Sequence, residues 1–257
     1  MSFAFLVSLS ALFHTAAAWF YHEIVNAQHR GDLVHILNKL QLVHNAAEIG
    51  VWHAGFARHN LQHWLGRKYF MIDTWQHRGN DSSRDKNSMS EEQHKRDYVI
   101  AKNATAPWLL DGKAEIIRGF AEAAVHNFPD HFFDFIYIDA NHEYKSVLRD
   151  MRMWWPKLAP GGMLAGDDFA DMYDTFYKLP TAKIWKWGVK SAVARFSREV
   201  GSPFFLTFAD RQHTSTENSP LSSSEWLDNP RDKRMLNIPP NELVRRQEFF
   251  PAWYLFK

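Results

Sequence analysis

The sequence predicts an α/β domain built on a mostly parallel β-sheet. Two observations carry this. From Arg30 onward, short apolar runs alternate with stripes of helical spacing, the pattern of parallel strands joined by crossover helices. The 257 residues, 46% of them hydrophobic, are enough for one large core without staples. Taken in order, Leu33, Ile36, Leu37 and Leu40 recur at helical spacing, and a strand follows at 46–49. Gly55 opens a helix. Further strands fall at 69–72, 114–117 and 135–138. Tyr144, Val147, Leu148, Met151 and Trp155 make one apolar helical stripe. Pro160-Gly161-Gly162 leads into a strand at 163–165, and Val189, Ala192, Val193, Phe196 and Val200 repeat the helical spacing. Runs at 204–208 and 253–256 complete seven strands. The final strand is expected to insert into the sheet.

Three stretches fall outside this pattern. Residues 3–13 are apolar and end in the small residues Thr15-Ala16-Ala17-Ala18. They read as a secretory signal, as a membrane anchor over residues 3–20, or as a helix docked on the domain. The chain therefore divides into an N-terminal apolar segment, 1–29, and a domain, 30–257. Its location is cytoplasmic under the docked-helix reading, and secretory or membrane-associated otherwise. Asn80-Asp81-Ser82 and Asn103-Ala104-Thr105 are compatible with secretion. The polar stretches 76–105 and 210–250 exceed ordinary connections and read as inserted loops, either solvated surface or functional lids. With 30 basic and 29 acidic side chains the net charge is +1, which argues against a general nucleic-acid binder. Zero Cys excludes disulfides, a thiol nucleophile and thiolate metal sites. Eleven Trp are more than one core needs.

Chemistry concentrates at strand ends. The first strand closes in Glu48-Ile49-Gly50, and Gly55 follows. Gly50 permits a sharp turn, and both glycines let a ligand approach the backbone at a helix N-terminus. The bland alternative is a tight strand–helix turn. Asp73 caps the second strand, where a nucleotide's ribose is gripped. Otherwise it is a helix N-cap or loop carboxylate. Asp139 ends the fourth strand, and Asp167-Asp168 end the fifth. Three neighbouring carboxylates are best tolerated around a hard divalent cation, unless they cap a helix and hold a turn. His59 and His63 read as a helix surface. Trp52, Trp75 and Trp108 either wall a flat ligand or pack the interior.

Several motifs in order carry a family resemblance. They are Glu48-Ile49-Gly50-Val51-Trp52, Ile72-Asp73-Thr74-Trp75, Tyr137-Ile138-Asp139-Ala140-Asn141-His142-Glu143-Tyr144, and Trp154-Trp155-Pro156-Lys157-Leu158-Ala159-Pro160-Gly161-Gly162. Together they resemble class I S-adenosylmethionine-dependent methyltransferases, in particular the macrocin O-methyltransferase-related group (methyltransferase domain family 24). The resemblance covers about residues 30–208 and the last strand. It implies a Rossmann-like seven-stranded sheet with helices on both faces and the last strand antiparallel. It implies that Gly50, Val51 and Gly55 border the cofactor's methionine part, that Glu48 anchors this loop, and that Asp73 holds the ribose. Gly119, Phe120 and Ala121 would border adenine, and Asp139 would reach both cofactor and acceptor. Asp139, Asp167 and Asp168 match the aspartates that hold Mg²⁺ in metal-dependent members. His142 falls where catechol-type relatives carry a basic residue, so it is the candidate proton acceptor, or else a cap of the next helix. The expected partner is a small-molecule acceptor with a hydroxyl, and a homo-oligomer is compatible with these features. Two other classes remain: a nicotinamide-dependent oxidoreductase, and a non-catalytic or membrane-tethered binding protein of the same fold.

Overall fold

The apolar runs become strands because both of their faces are covered. A computed structural model describes residues 27, 29–76, 90–171, 187–207 and 251–257. The strands are β1 (Asn45–Ile49), β2 (Lys68–Asp73), β3 (Ala114–Arg118), β4 (Phe133–Ile138), β5 (Leu158–Gly166), β6 (Phe204–Leu206) and β7 (Trp253–Phe256). They form one sheet in the order β3-β2-β1-β4-β5-β7-β6. Strands β1 to β5 pair in parallel. The last strand, β7, runs antiparallel between β5 and β6.

Alternate residues feed two cores. From β4, Ile136 and Ile138 enter one core while Phe135 and Tyr137 enter the other. From β2, Phe70 and Ile72 separate in the same way from Tyr69 and Met71. One face is covered by α1 (Leu33–Lys39), α2 (Gly55–His63), α3 (Glu91–Ala104) and the short α4 (Ala106–Leu110); the other by α5 (Ala121–Ala124), α6 (Tyr144–Trp154) and α7 (Val189–Val200). The stripe on α6 buries Val147, Leu148, Met151 and Trp154, and that on α7 buries Ala192, Val193 and Phe196. Trp154 is a core residue, and Trp155 stands edge-on to Phe196.

Part of the polar stretch 76–105 departs from the expected loop. Residues 91–104 form the helix α3, with only His94, Asp97 and Ala101 buried. Its N-terminus is capped by the Ser90 hydroxyl, which accepts from the Gln93 N–H at 3.2 Å. Polar periodicity hid the helix, but Ser90-Glu91-Glu92-Gln93 carries a capping-box signature. Residues 1–26, including the apolar run 3–20, and the stretch 210–250 lie outside the described residues. No helix among the described residues is long and apolar enough to cross a membrane.

The topology fixes where a ligand sits. The β2 and β4 strands flank β1 on opposite sides, so the chain's winding reverses there, and open α/β sheets bind ligands at the carboxyl ends beside such a reversal. The Asp139 N–H donates to the Ile49 carbonyl at 2.7 Å, closing the two strand tips together. Insertion of β7 supports the neighbouring tip. The Trp253 indole N–H donates to the Asp167 carbonyl at 3.1 Å, and a Cβ on Gly166 would lie 2.3 Å from the Trp253 ring.

Candidate active site

A cleft of about 260 Å³ opens at these strand ends. Its floor is the turn after β1. Gly50 has φ +90°, and a Cβ there would meet the Asp139 carbonyl at 1.9 Å, so only glycine fits. By contrast, a Cβ at Gly55 or Gly119 would touch no protein atom; both line the open cleft. Glu48, Val51, Asp73, Phe120, Ala121, Asp139 and His142 line the same cleft, which therefore gathers every expected cofactor-loop residue.

Asp73 builds the turn. Its Oδ2 accepts the N–H groups of Val51 at 2.8 Å and Trp52 at 2.9 Å, and its Oδ1 accepts that of Trp75 at 3.1 Å. Trp52 and Trp75 have positive φ, costly for bulky residues, and the Asp73 bonds hold both in place. The Trp75 indole adds a bond to the Trp52 carbonyl at 2.9 Å. Glu48 is buried and receives the Tyr69 hydroxyl at 2.7 Å; Asn60 donates in turn to Tyr69 at 2.9 Å. Burial pushes the Glu48 carboxyl up to about 8, against the opposing hydrogen bond from Tyr69.

The tips of β4 and β5 carry charge. The His142 Nε2 lies 3.0 Å from Asp168 Oδ2 and 3.4 Å from Asp139 Oδ1. One ligand atom from each of these three residues lies within 4.8 Å of the others. Asp167, expected beside them, points instead to Arg30, whose guanidinium also lies 3.7 Å from Asp139. Burial and the like charges of Asp139 and Asp168 push the Asp167 carboxyl up to about 7, although Arg30 opposes this. His142 is buried, and its ring packs 4.8 Å from that of Trp187.

Several residues of this cleft were not singled out from the sequence. Arg30 precedes the first apolar stripe and reaches across the sheet tips, where it stacks on Phe56 at 5.5 Å. His53 Nε2 bonds Asp97 Oδ1 at 2.8 Å, docking α3 onto the β1 turn. Burial would raise the Asp97 carboxyl, but hydrogen bonds from His53 and Gln93 outweigh it and leave it lowered. His94 lines the cleft and is 7% exposed. Among the Trp residues, Trp52 and Trp75 line the cleft, whereas Trp108 packs against the core. His59 bonds the Gly31 carbonyl at 2.9 Å and takes no part in the site.

A glycine turn after β1, an acid ending β2 and a charged pair of tips at β4 and β5, on this strand order, are the arrangement that the resemblance to class I S-adenosylmethionine-dependent methyltransferases implies. Residues 47–169 match the family model described as a methyltransferase domain. Among solved structures, the chain is similar to a Staphylococcus aureus protein provisionally assigned as a caffeoyl-CoA O-methyltransferase, at 15% identity and TM-score 0.51, covering 88% of this chain and 81% of that one. It is also similar to an O-methyltransferase family protein from Burkholderia thailandensis, at 10% identity and TM-score 0.51, covering 88% of this chain but 55% of that one. At such identities the likeness is one of fold. No curated protein matches the sequence.

Proposed function

We propose that this protein methylates a hydroxyl group of a small-molecule acceptor, with His142 as the proton acceptor. The observation that carries this reading is the convergence of Asp139, His142 and Asp168 beside the glycine turn. When bound, S-adenosylmethionine supplies a methyl group on a sulfonium, an electrophile needing only an aligned nucleophile. The steric demand at Gly50 and the open space at Gly55 and Gly119 suit a ligand lying against bare backbone. In this reading Gly50, Val51 and Gly55 border the methionine part, Glu48 fixes their strand, Asp73 meets the ribose, and Gly119, Phe120 and Ala121 border adenine.

His142 takes the acceptor's proton through Nε2. Asp139 and Asp168 orient the imidazole and stabilise its positive charge once formed. Trp187 and burial keep water from the ring, and the sheet tips hold the reacting groups in line. The same place fits a divalent cation. Mg²⁺ prefers oxygen donors, so Asp139 and Asp168 would hold it while His142 acts as base. Bound there, Mg²⁺ would lower the acceptor hydroxyl's pKa. Asp167 is the least suited to this role, because Arg30 already neutralises it.

The decisive test is a panel of phenols, sugars and small acids assayed for S-adenosylhomocysteine release. Methyl transfer to oxygen supports the reading; transfer only to nitrogen or carbon acceptors overturns it. Full turnover in EDTA removes Mg²⁺ from the mechanism.

A further inference from the structure

We propose that Arg30 is the built-in cation of the acidic corner, and that it withholds Asp167 and one oxygen of Asp139 from a divalent ion. The proposal rests on the reading of Asp139 and Asp168 as the oxygen donors for Mg²⁺. All three acids lie within the segment 47–169 that matches the methyltransferase domain, whereas Arg30 precedes it. A short lead-in carries Arg30 over the strand tips. The His59 ring bonds the Gly31 carbonyl at 2.9 Å, and Leu33 and Val34 are buried directly after it. The side chain is thereby anchored from behind, and its guanidinium lines the cleft.

The corner divides oxygen by oxygen. Arg30 Nη1 pairs with Asp167 Oδ2 and lies 3.7 Å from Asp139 Oδ2. His142 Nε2 lies 3.4 Å from the other Asp139 oxygen, Oδ1, and 3.0 Å from Asp168 Oδ2. One guanidinium nitrogen therefore faces acids at the tips of both β4 and β5, as a bridging metal ion would. Asp167 stands outside the group of Asp139, His142 and Asp168, whose ligand atoms converge. A guanidinium keeps its charge throughout the working pH range, so it does not leave this corner by losing a proton. It also repels a divalent ion placed close by. Two carboxylates rather than three face that ion, and affinity for hard cations follows the number of charged oxygen donors. Arg30 thus holds the affinity for a divalent ion low.

Calorimetric titration of the full chain with Mn²⁺, a probe that suits carboxylate donors, tests this without any turnover. Arg30→Met is expected to bind Mn²⁺ about tenfold more tightly than wild type, because a third carboxylate joins the ion and a repelling charge is gone. Adding Asp167→Asn to Arg30→Met is expected to remove that gain. In the wild-type background, Asp167→Asn is expected to weaken binding far less than Asp168→Asn does, an arm that leaves Arg30 in place. An Arg30→Met protein that binds Mn²⁺ no tighter than wild type overturns the proposal. So does a double variant that keeps the gain, or an equal loss from Asp167→Asn and Asp168→Asn. If Asp168→Asn leaves Mn²⁺ binding unchanged, the cation reading of Asp139 and Asp168 falls and the proposal with it. If Asp168→Asn abolishes binding while Arg30→Met fails to tighten it, only the proposal falls. Absence of Mn²⁺ binding in both wild type and Arg30→Met sinks both.

Discussion

The two halves of the cleft use the same residue type for opposite ends. At the tips of β1 and β2, acids are consumed by structure. Asp73 spends its acceptors on three backbone N–H groups, and Glu48 sits buried under Tyr69. At the tips of β4 and β5, acids crowd one another and pair with charged side chains. Asp139, Asp167 and Asp168 share one corner with the Arg30 guanidinium and the His142 imidazole. An acid at a strand end is thus not a role in itself. Its role depends on whether the adjoining turn presents N–H groups or other charges.

The sharpest way to break this comparison is on the structural side. Asp73→Ala leaves three N–H groups unpartnered and two bulky residues unsupported at positive φ. We expect a stability loss of about 3 kcal/mol and no measurable cofactor binding, read by thermal denaturation and calorimetry. Retention of both would mean that Asp73 is a bystander.

On the chemical side, His142→Gln should lower kcat/KM by about 100-fold or more while leaving the melting temperature nearly unchanged. Its pH–rate profile should be flat near neutrality. An unaltered profile removes His142 as the base.

Glu48→Gln tests burial alone. The native carboxyl holds its proton up to about 8, whereas in the unfolded chain it ionises near its ordinary 4.5. Between those values the native state binds more protons, so stability falls as pH rises from 4.5 through 8. Glu48→Gln should abolish that decline, worth about 2 kcal/mol between pH 5 and 7. Parallel melting curves for wild type and variant would refute the assignment.

The mildest effect is expected at Arg30. Arg30→Met removes the counter-charge from Asp167 and Asp139 and should cost about 1–2 kcal/mol at pH 8. The deficit should shrink as the pH drops below 7, because protonation of Asp167 relieves the same repulsion. A deficit independent of pH would assign Arg30 a packing role on Phe56 instead.

Much of the scaffold was legible because it depends on local periodicity. The run 135–138 read as a strand and lies within Phe133–Ile138, and the run at Trp253–Phe256 matches β7. Gly50 and Gly55 marked the turn because no other residue suits the first and nothing fills the space beside the second. The helix α3 was not legible from periodicity, since it buries two polar side chains, His94 and Asp97, along with Ala101. A polar residue that faces a cleft looks, in sequence, like one that faces water.

By itself, then, the sequence determined the α/β alternation, the glycine turn, the acids that end the strands, and the family resemblance that linked them. Each of these is a matter of spacing along the chain. Only the tertiary structure decided which acid faces which partner. It brought Arg30 to Asp167 and Asp139, His142 between Asp139 and Asp168, and Asp97 to His53. Apart from Asp139 and His142, which lie three residues apart in one loop, those pairings join distant parts of the chain, and the packing of helices on the sheet sets them, because charge and hydrogen bonding act across space rather than along the chain.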